Sequence, residues 1–272
     1  MPAANPQQRL DQLRVVVTRP AHQAEHLCQL IEQAGGTAIR LPVIEITAPT
    51  DIQAAQDKLS QLDSFSIAIF TSANAVDGLF QLAPPTFQWP AQLQVAAIGK
   101  RTADHLRAHA IAVDIISNQG FNSESLLQSS AMNNVSGKKI IICKGEGGRT
   151  LLSDTLRQRC ASVETIDLYQ RKRPNKGLRN IQQAGKSGSI DLFVVTSNEG
   201  LQNLFEMAAA NEREWLLNTP LVVISERTAQ LAKTLGFNHK PVVAGEASDE
   251  GLLNSLEQWY AGLFRRGVQR EE

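Results

Sequence analysis

Tyr169 is one of two tyrosines in this chain of 272 residues, and Arg171, Lys172 and Arg173 follow it closely. A phenol near fixed cations can give a proton to a departing oxygen, and the cations attract an anionic ligand. The same residues also describe a packed aromatic beside a solvated charge run, and the local sequence leaves both readings open. Thr71-Ser72-Ala73-Asn74 and Thr196-Ser197-Asn198 each follow an apolar run and precede a helical pattern. Ser, Thr and Asn there serve as helix caps, or as donors and acceptors for a ligand at a strand tip. Thr102 and Thr228 occupy similar turns, in Gly99-Lys-Arg-Thr-Ala and Ser225-Glu-Arg-Thr-Ala. Gly145-Glu-Gly-Gly-Arg-Thr offers a tight turn or a cradle of backbone N–H groups for a carboxylate or phosphate. It is neither a P-loop nor G-x-G-x-x-G, because no Gly-Lys-Ser/Thr follows and Thr150 stands where a last glycine would fall.

Two histidine pairs, His22/His26 and His105/His109, have the i, i+4 spacing of a helix face. No carboxylate or thiolate completes a metal-site pattern nearby, so solvated faces are the expectation and no metal site is assigned. No phosphate-loop fingerprint of a nucleotide-dependent enzyme is present.

The elements that must position these residues come in two copies. Ser72 is separated from Ser197 by the same interval as Thr102 from Thr228, to within one residue. Val15–Val17 returns as Ile140–Ile142, Ile67–Phe70 as Leu192–Val195, and Val95–Ile98 as Leu221–Ile224. These continuous apolar runs predict strands covered on both faces, hence parallel sheets. Between them, Ala24, Leu27, Cys28, Leu30 and Ile31 fall at helical spacing. The alternation predicts an α/β protein with two similar doubly wound, flavodoxin-like domains and an internal duplication. Leu41–Thr47 and Val163–Arg171 alternate instead, which predicts two extended linkers lying side by side as a hinge. Domain 1 would then combine residues 13–43 with 172–262. Domain 2 would span 48–166, with linkers near 42–48 and 163–172, and a ligand would bind in the cleft between them.

Composition narrows the function. Lys and Arg together equal Asp and Glu at 27 each, so the basic excess of a nucleic-acid-binding surface is missing. No apolar run approaches the length of a membrane span, and Met1–Gln12 is too polar for a signal peptide. Cys28, Cys143 and Cys160 show no paired spacing, as expected of buried thiols in a reducing cytoplasm. With no apolar stripe demanding a partner, the chain is read as a monomer.

The ordered set Val17-Thr-Arg-Pro, Phe70-Thr-Ser-Ala-Asn-Ala-Val, Ala97-Ile-Gly-Lys-Arg-Thr-Ala, Lys144-Gly-Glu-Gly-Gly-Arg, Leu168-Tyr-Gln-Arg, Val195-Thr-Ser-Asn and Ile224-Ser-Glu-Arg-Thr-Ala resembles uroporphyrinogen-III synthases. The resemblance runs from about Leu13 to Leu256. It implies a cytoplasmic, cofactor-free lyase of tetrapyrrole synthesis that closes linear hydroxymethylbilane to uroporphyrinogen III with ring D inverted through a spiro-pyrrolenine. Tyr169 matches the family's linker tyrosine and is the implied proton donor. Ser72, Thr102, Ser197 and Thr228 would bind the substrate's acetate and propionate groups together with neighbouring backbone N–H groups. Arg19, Lys144 and Arg149 are the candidate countercharges. Asn74 and Asn198 join the candidate binding residues, although Asn74 has no aligned twin in the shorter second copy. Arg101 stands where a small residue would suit a tight turn. The competing reading is a non-enzymatic two-domain clamp closing on an anionic ligand.

Overall fold

The protein is described here by a computed structural model covering residues 9–117, 122–175, 177–178, 181 and 190–268. Met1–Gln8, which begin the polar leader, lie outside the described residues, as do 182–189 within the range assigned to domain 1. Eleven strands are described: β1 (Arg14–Val17), β2 (Thr37–Arg40), β3 (Glu45–Thr47), β4 (Ile67–Phe70), β5 (Gln94–Ala97), β6 (Ile115–Ile116), β7 (Lys139–Gly145), β8 (Ser162–Lys172), β9 (Leu192–Val195), β10 (Leu221–Val223) and β11 (Val242–Val243). Two compact units group these elements. The first comprises 1–45 with 172–272, and the second comprises 46–171.

In the first unit the strand order is β11-β10-β9-β1-β2, with parallel pairs throughout. Counted along the chain, that is the 2-1-3-4-5 order of flavodoxin-like sheets. In the second unit the order is β3-β8-β7-β4-β5-β6, and the β8-β7-β4-β5-β6 portion is again parallel. Its strands follow the same spatial sequence once β7 and β8 take the places of β1 and β2. Alternate residues explain how one strand serves two faces. Ala68 and Phe70 of β4 enter one buried cluster with Ile141 and Cys143 of β7. Ile67 and Ile69 enter the other with Ile140 and Ile142. In the first unit Val15, Val17, Leu192, Val194 and Val222 form a matching cluster with the helix Ala21–Gln33.

The segment 163–171 departs from its reading as a part-exposed linker. β8 is an 11-residue strand hydrogen-bonded to β7 from Ser162 to Tyr169. Val163, Ile166, Leu168 and Tyr169 are buried in it. Alternation arises here because β8 lies near the sheet edge, with only short β3 beyond it. The register shifts between Lys144 and Gly145: Lys144 lies opposite Asp167, whereas Gly145 lies opposite Tyr169, so Leu168 is the extra residue of a bulge.

Candidate active site

The second unit carries a cavity of ≈ 660 Å³ at the carboxyl ends of β4 and β7. Ser72, Lys144, Gly145, Arg149, Tyr169 and Arg171 are among its lining residues. Thr71 follows β4 and ties it to β7: its N–H and its hydroxyl both donate to the carbonyl of Cys143, at 3.0 and 3.2 Å. Ser72 then caps the helix Ala73–Leu82, its Oγ accepting from the N–H of Ala75 at 3.2 Å. The same Oγ lies 3.2 Å from Tyr169 Oη. Arg171 Nη2 donates to that phenol oxygen at 3.2 Å, with its guanidinium carbon 5.6 Å from the ring centroid. Because Arg171 can only donate, Tyr169 Oη accepts from it and keeps its own proton for Ser72 or for a ligand. The cap and the linker tyrosine, two separate candidates in the sequence, thus form one hydrogen-bonded group.

The countercharges are placed differently from expectation. Lys144 Nζ donates to Asp167 at 2.8 Å and to the carbonyl of Gly145 at 3.0 Å. Arg149 is 73 % exposed and meets Glu124 at 3.2 Å. Both still border the cavity, where Gly147 and Gly148 take φ of 70° and 88° and shape the loop between them. Arg19 pairs with Asp249 at the start of the helix Asp249–Val268, beside His26, and is a partner of that helix end rather than a free cation. The cation that reaches the phenol is Arg171. Its place in the charge run beside Tyr169 was the available signal, but which of three cations turns toward the ring depends on strand geometry.

In the first unit, Ser197 caps the helix Asn198–Met207 by accepting from the N–H of Gly200 at 2.9 Å. Ser225 caps the helix Glu226–Leu235 and lies 3.0 Å from the hydroxyl of Thr228. Thr228 donates in turn to Asn198 Oδ1 at 2.9 Å. Sequence reasoning missed Ser225, although a serine between an apolar run and Glu-Arg-Thr is an N-cap signal. Contrary to expectation, Thr228 and Thr102 do not present their hydroxyls at the strand tips. Both are buried, and Thr102 Oγ1 donates to the carbonyl of Ile98 at 3.2 Å. In a helix's first turn this rotamer folds the hydroxyl back onto the preceding turn. Asn198 is the group that Thr228 orients: an amide whose oxygen is taken by Thr228 directs its NH₂ elsewhere. Asn74 is buried in the first turn of its helix.

Thr228→Val keeps the shape and removes the donor. It is expected to cost about 1–3 kcal/mol by leaving Asn198 Oδ1 without that bond. A urea unfolding midpoint unchanged from that of the parent would show that the hydroxyl carries no such load.

The remaining polar candidates have structural employment. His105 lies 3.5 Å from Asp77, and His109 stacks on Phe80 at 3.9 Å between centroids. Among the described residues, no group of three or more His, Cys, Asp and Glu is placed to hold a metal. Cys143, beneath the cavity, is fully buried, and burial pushes its thiol far above the ordinary range, so it is no thiolate nucleophile. No described helix is long and apolar enough to cross a membrane.

Comparison with known proteins gives concordant results. The family model described as "Uroporphyrinogen-III synthase HemD" matches residues 25–254. The uroporphyrinogen-III synthase of Salmonella typhimurium LT2 is 32 % identical over 256 residues, covering 90 % of this chain and 100 % of that protein. A crystal structure of a mutant uroporphyrinogen III synthase from the extremely thermophilic bacterium Thermus thermophilus superposes with a TM-score of 0.59 at 19 % identity, covering 95 % of this chain and 99 % of that one. The uroporphyrinogen-III synthetase of Helicobacter pylori 26695 gives a TM-score of 0.57 at 15 % identity, covering 89 % and 97 %.

Proposed function

The chain belongs to the uroporphyrinogen-III synthase family, lyases of haem biosynthesis, and on that premise we propose how its own residues close hydroxymethylbilane to uroporphyrinogen III. The observation that carries the reading is the Tyr169 phenol, held 3.2 Å from Arg171 and 3.2 Å from Ser72 at the wall of a cationic cavity. Tyr169 gives its proton to the terminal hydroxyl of the bilane. The carbon–oxygen bond breaks with its electron pair, water leaves, and the pyrrole nitrogen stabilises the resulting azafulvene. Arg171 and Ser72 hold the phenolate that forms, which favours the charged side of the step.

The substituted carbon of ring D then attacks the azafulvene to give a spiro-pyrrolenine. Fragmentation and reclosure invert the ring, and the proton lost as aromaticity returns restores the phenol. Orientation does the rest, because the substrate brings its own electrophile.

We assign substrate contacts to Ser72, Asn74, Lys144 and Arg149 in the second unit. In the first we assign Ser197 and Asn198, with the backbone N–H groups of the turns at Thr102 and Thr228 contributing in their respective units. Arg19 acts through the helix it anchors. The matching strand orders of the two sheets support an internal duplication in which the five matching strands of each unit are two from one copy and three from the other, with β3 added at the edge of the second. The protein works as a monomer in the cytoplasm, on a small-molecule substrate and without nucleic acid.

Given fresh hydroxymethylbilane, the protein is expected to form the type III isomer in excess over the type I product of spontaneous closure. Chromatography of the oxidised products measures the ratio, and a ratio equal to that without protein would overturn the reading.

A further inference from the structure

Tyr169 should not share a face of the sheet with Leu168 at all. In β8, Ile166 and Leu168 belong to one buried cluster, so strict alternation would send Asp167 and Tyr169 to the opposite face of the sheet. Lys144 and Asp167, paired across β7 and β8, obey that rule. Tyr169 breaks it and joins Leu168 in the same cluster. The cause is the bulge at Leu168, which adds a residue and turns the next side chain over.

Two glycines make room for that turn. A Cβ on Gly145, directly opposite Tyr169, would lie 2.5 Å from the ring carbon Cζ and 2.8 and 2.9 Å from Cε2 and Cε1. These are the atoms that carry and flank the hydroxyl. A Cβ on Gly78 would lie 2.3 Å from the carbonyl oxygen of Leu168, the bulged residue itself. Gly78 sits in the helix whose cap, Ser72, meets the phenol. Neither glycine has a positive φ. Each is required by close approach rather than by backbone conformation.

We propose that Gly145 is a positioning residue of the reaction: its missing side chain lets the Tyr169 ring lie across the tip of β7 with the hydroxyl between Arg171 and Ser72, while Gly78 admits the bulge that turns the ring there. The inference rests on the reading of Tyr169 as proton donor. It gives the glycine loop at Gly145 a purpose distinct from holding an anion. An alanine at position 145 would meet the phenol end of a side chain rather than backbone, so what moves is the hydroxyl.

The test is a double-mutant cycle. Gly145→Ala is expected to lower kcat by about 10²-fold or more, as Tyr169→Phe does, with KM changed by less than about twofold. The combined variant should be no slower than Tyr169→Phe alone, because a displaced ring without a hydroxyl has nothing further to lose. A wild-type kcat for Gly145→Ala, or a combined loss equal to the product of the single losses, would overturn the proposal. Stability supplies a second readout independent of the chemistry. Gly145→Ala should lower the thermal midpoint in the parent but not in a Tyr169→Ala background, and an equal drop in both would overturn it. Should Gly145→Ala fail to fold, restoration by Tyr169→Ala supports the proposal, and failure of that rescue sinks it. If Tyr169→Phe proves as fast as the parent, the donor reading falls alone, and the thermal cycle still decides whether Gly145 places the ring.

Discussion

Tyr169→Phe is expected to reduce kcat by about 10²–10⁴-fold while KM stays near its parental value, because the lost hydroxyl acts on the departing oxygen rather than on the bound substrate. The ring itself should hold its place: it is buried between Leu168 and the tip of β7, and phenylalanine fills the same volume. Arg171 and Ser72 each lose one hydrogen bond, yet both border an open cavity where water can replace it. The residual activity is informative. Ring inversion depends on how the bilane is folded, so the slowed enzyme should still make the type III isomer. A rate equal to the parent's would remove Tyr169 as the donor. A slowed enzyme yielding mainly type I would mean that the phenol orients the substrate instead.

Phe193→Ala is the substitution with the largest expected effect on stability, about 3–5 kcal/mol by the usual cost of emptying a large aromatic site. Phe193 is fully buried at the centre of the first unit's sheet, in β9 between β1 and β10. Its ring meets Trp215 edge-on at 5.8 Å. That cost is a large share of the roughly 5–15 kcal/mol that holds a typical domain folded. Hydrogen exchange localises it: protection should fall in β1, β9 and β10 and persist in β4 and β7. Unchanged protection in β9 would show that neighbouring side chains refill the site. The result bears on function because β9 leads directly into Ser197 and Asn198.

The two expectations draw on different parts of the chain's information. Parallel strands were legible because a strand covered on both faces must be apolar at every position, and Ile67–Phe70, Ile140–Ile142 and Leu192–Val195 satisfy that without reference to anything distant. The capping serines were legible for a similar reason, since an N-cap acts within three residues of itself, as Ser72 does with Ala75. Family membership was legible through the ordered motifs.

What local pattern could not supply was the direction of side chains whose partners lie far along the chain. Arg19 looks like a free cation until Asp249 is folded against it. Thr228 looks like a presented hydroxyl until Asn198, thirty residues away, accepts its hydrogen bond. Val163–Arg171 alternates like a linker because an edge position and a core position share one strand, and only pairing with β7 reveals the core role.

By itself, then, the order of residues determined the parallel α/β architecture and the helix caps, which depend on periodicity or on contacts between near neighbours, and the family, which depends on the order of local motifs. Only the tertiary structure decided that the phenol turns toward Ser72 and Arg171, since that direction comes from one unmatched residue in β8 and two absent side chains on elements packed against it. A bulge turns over the side chains beyond it, and it is visible only once β8 is paired with β7.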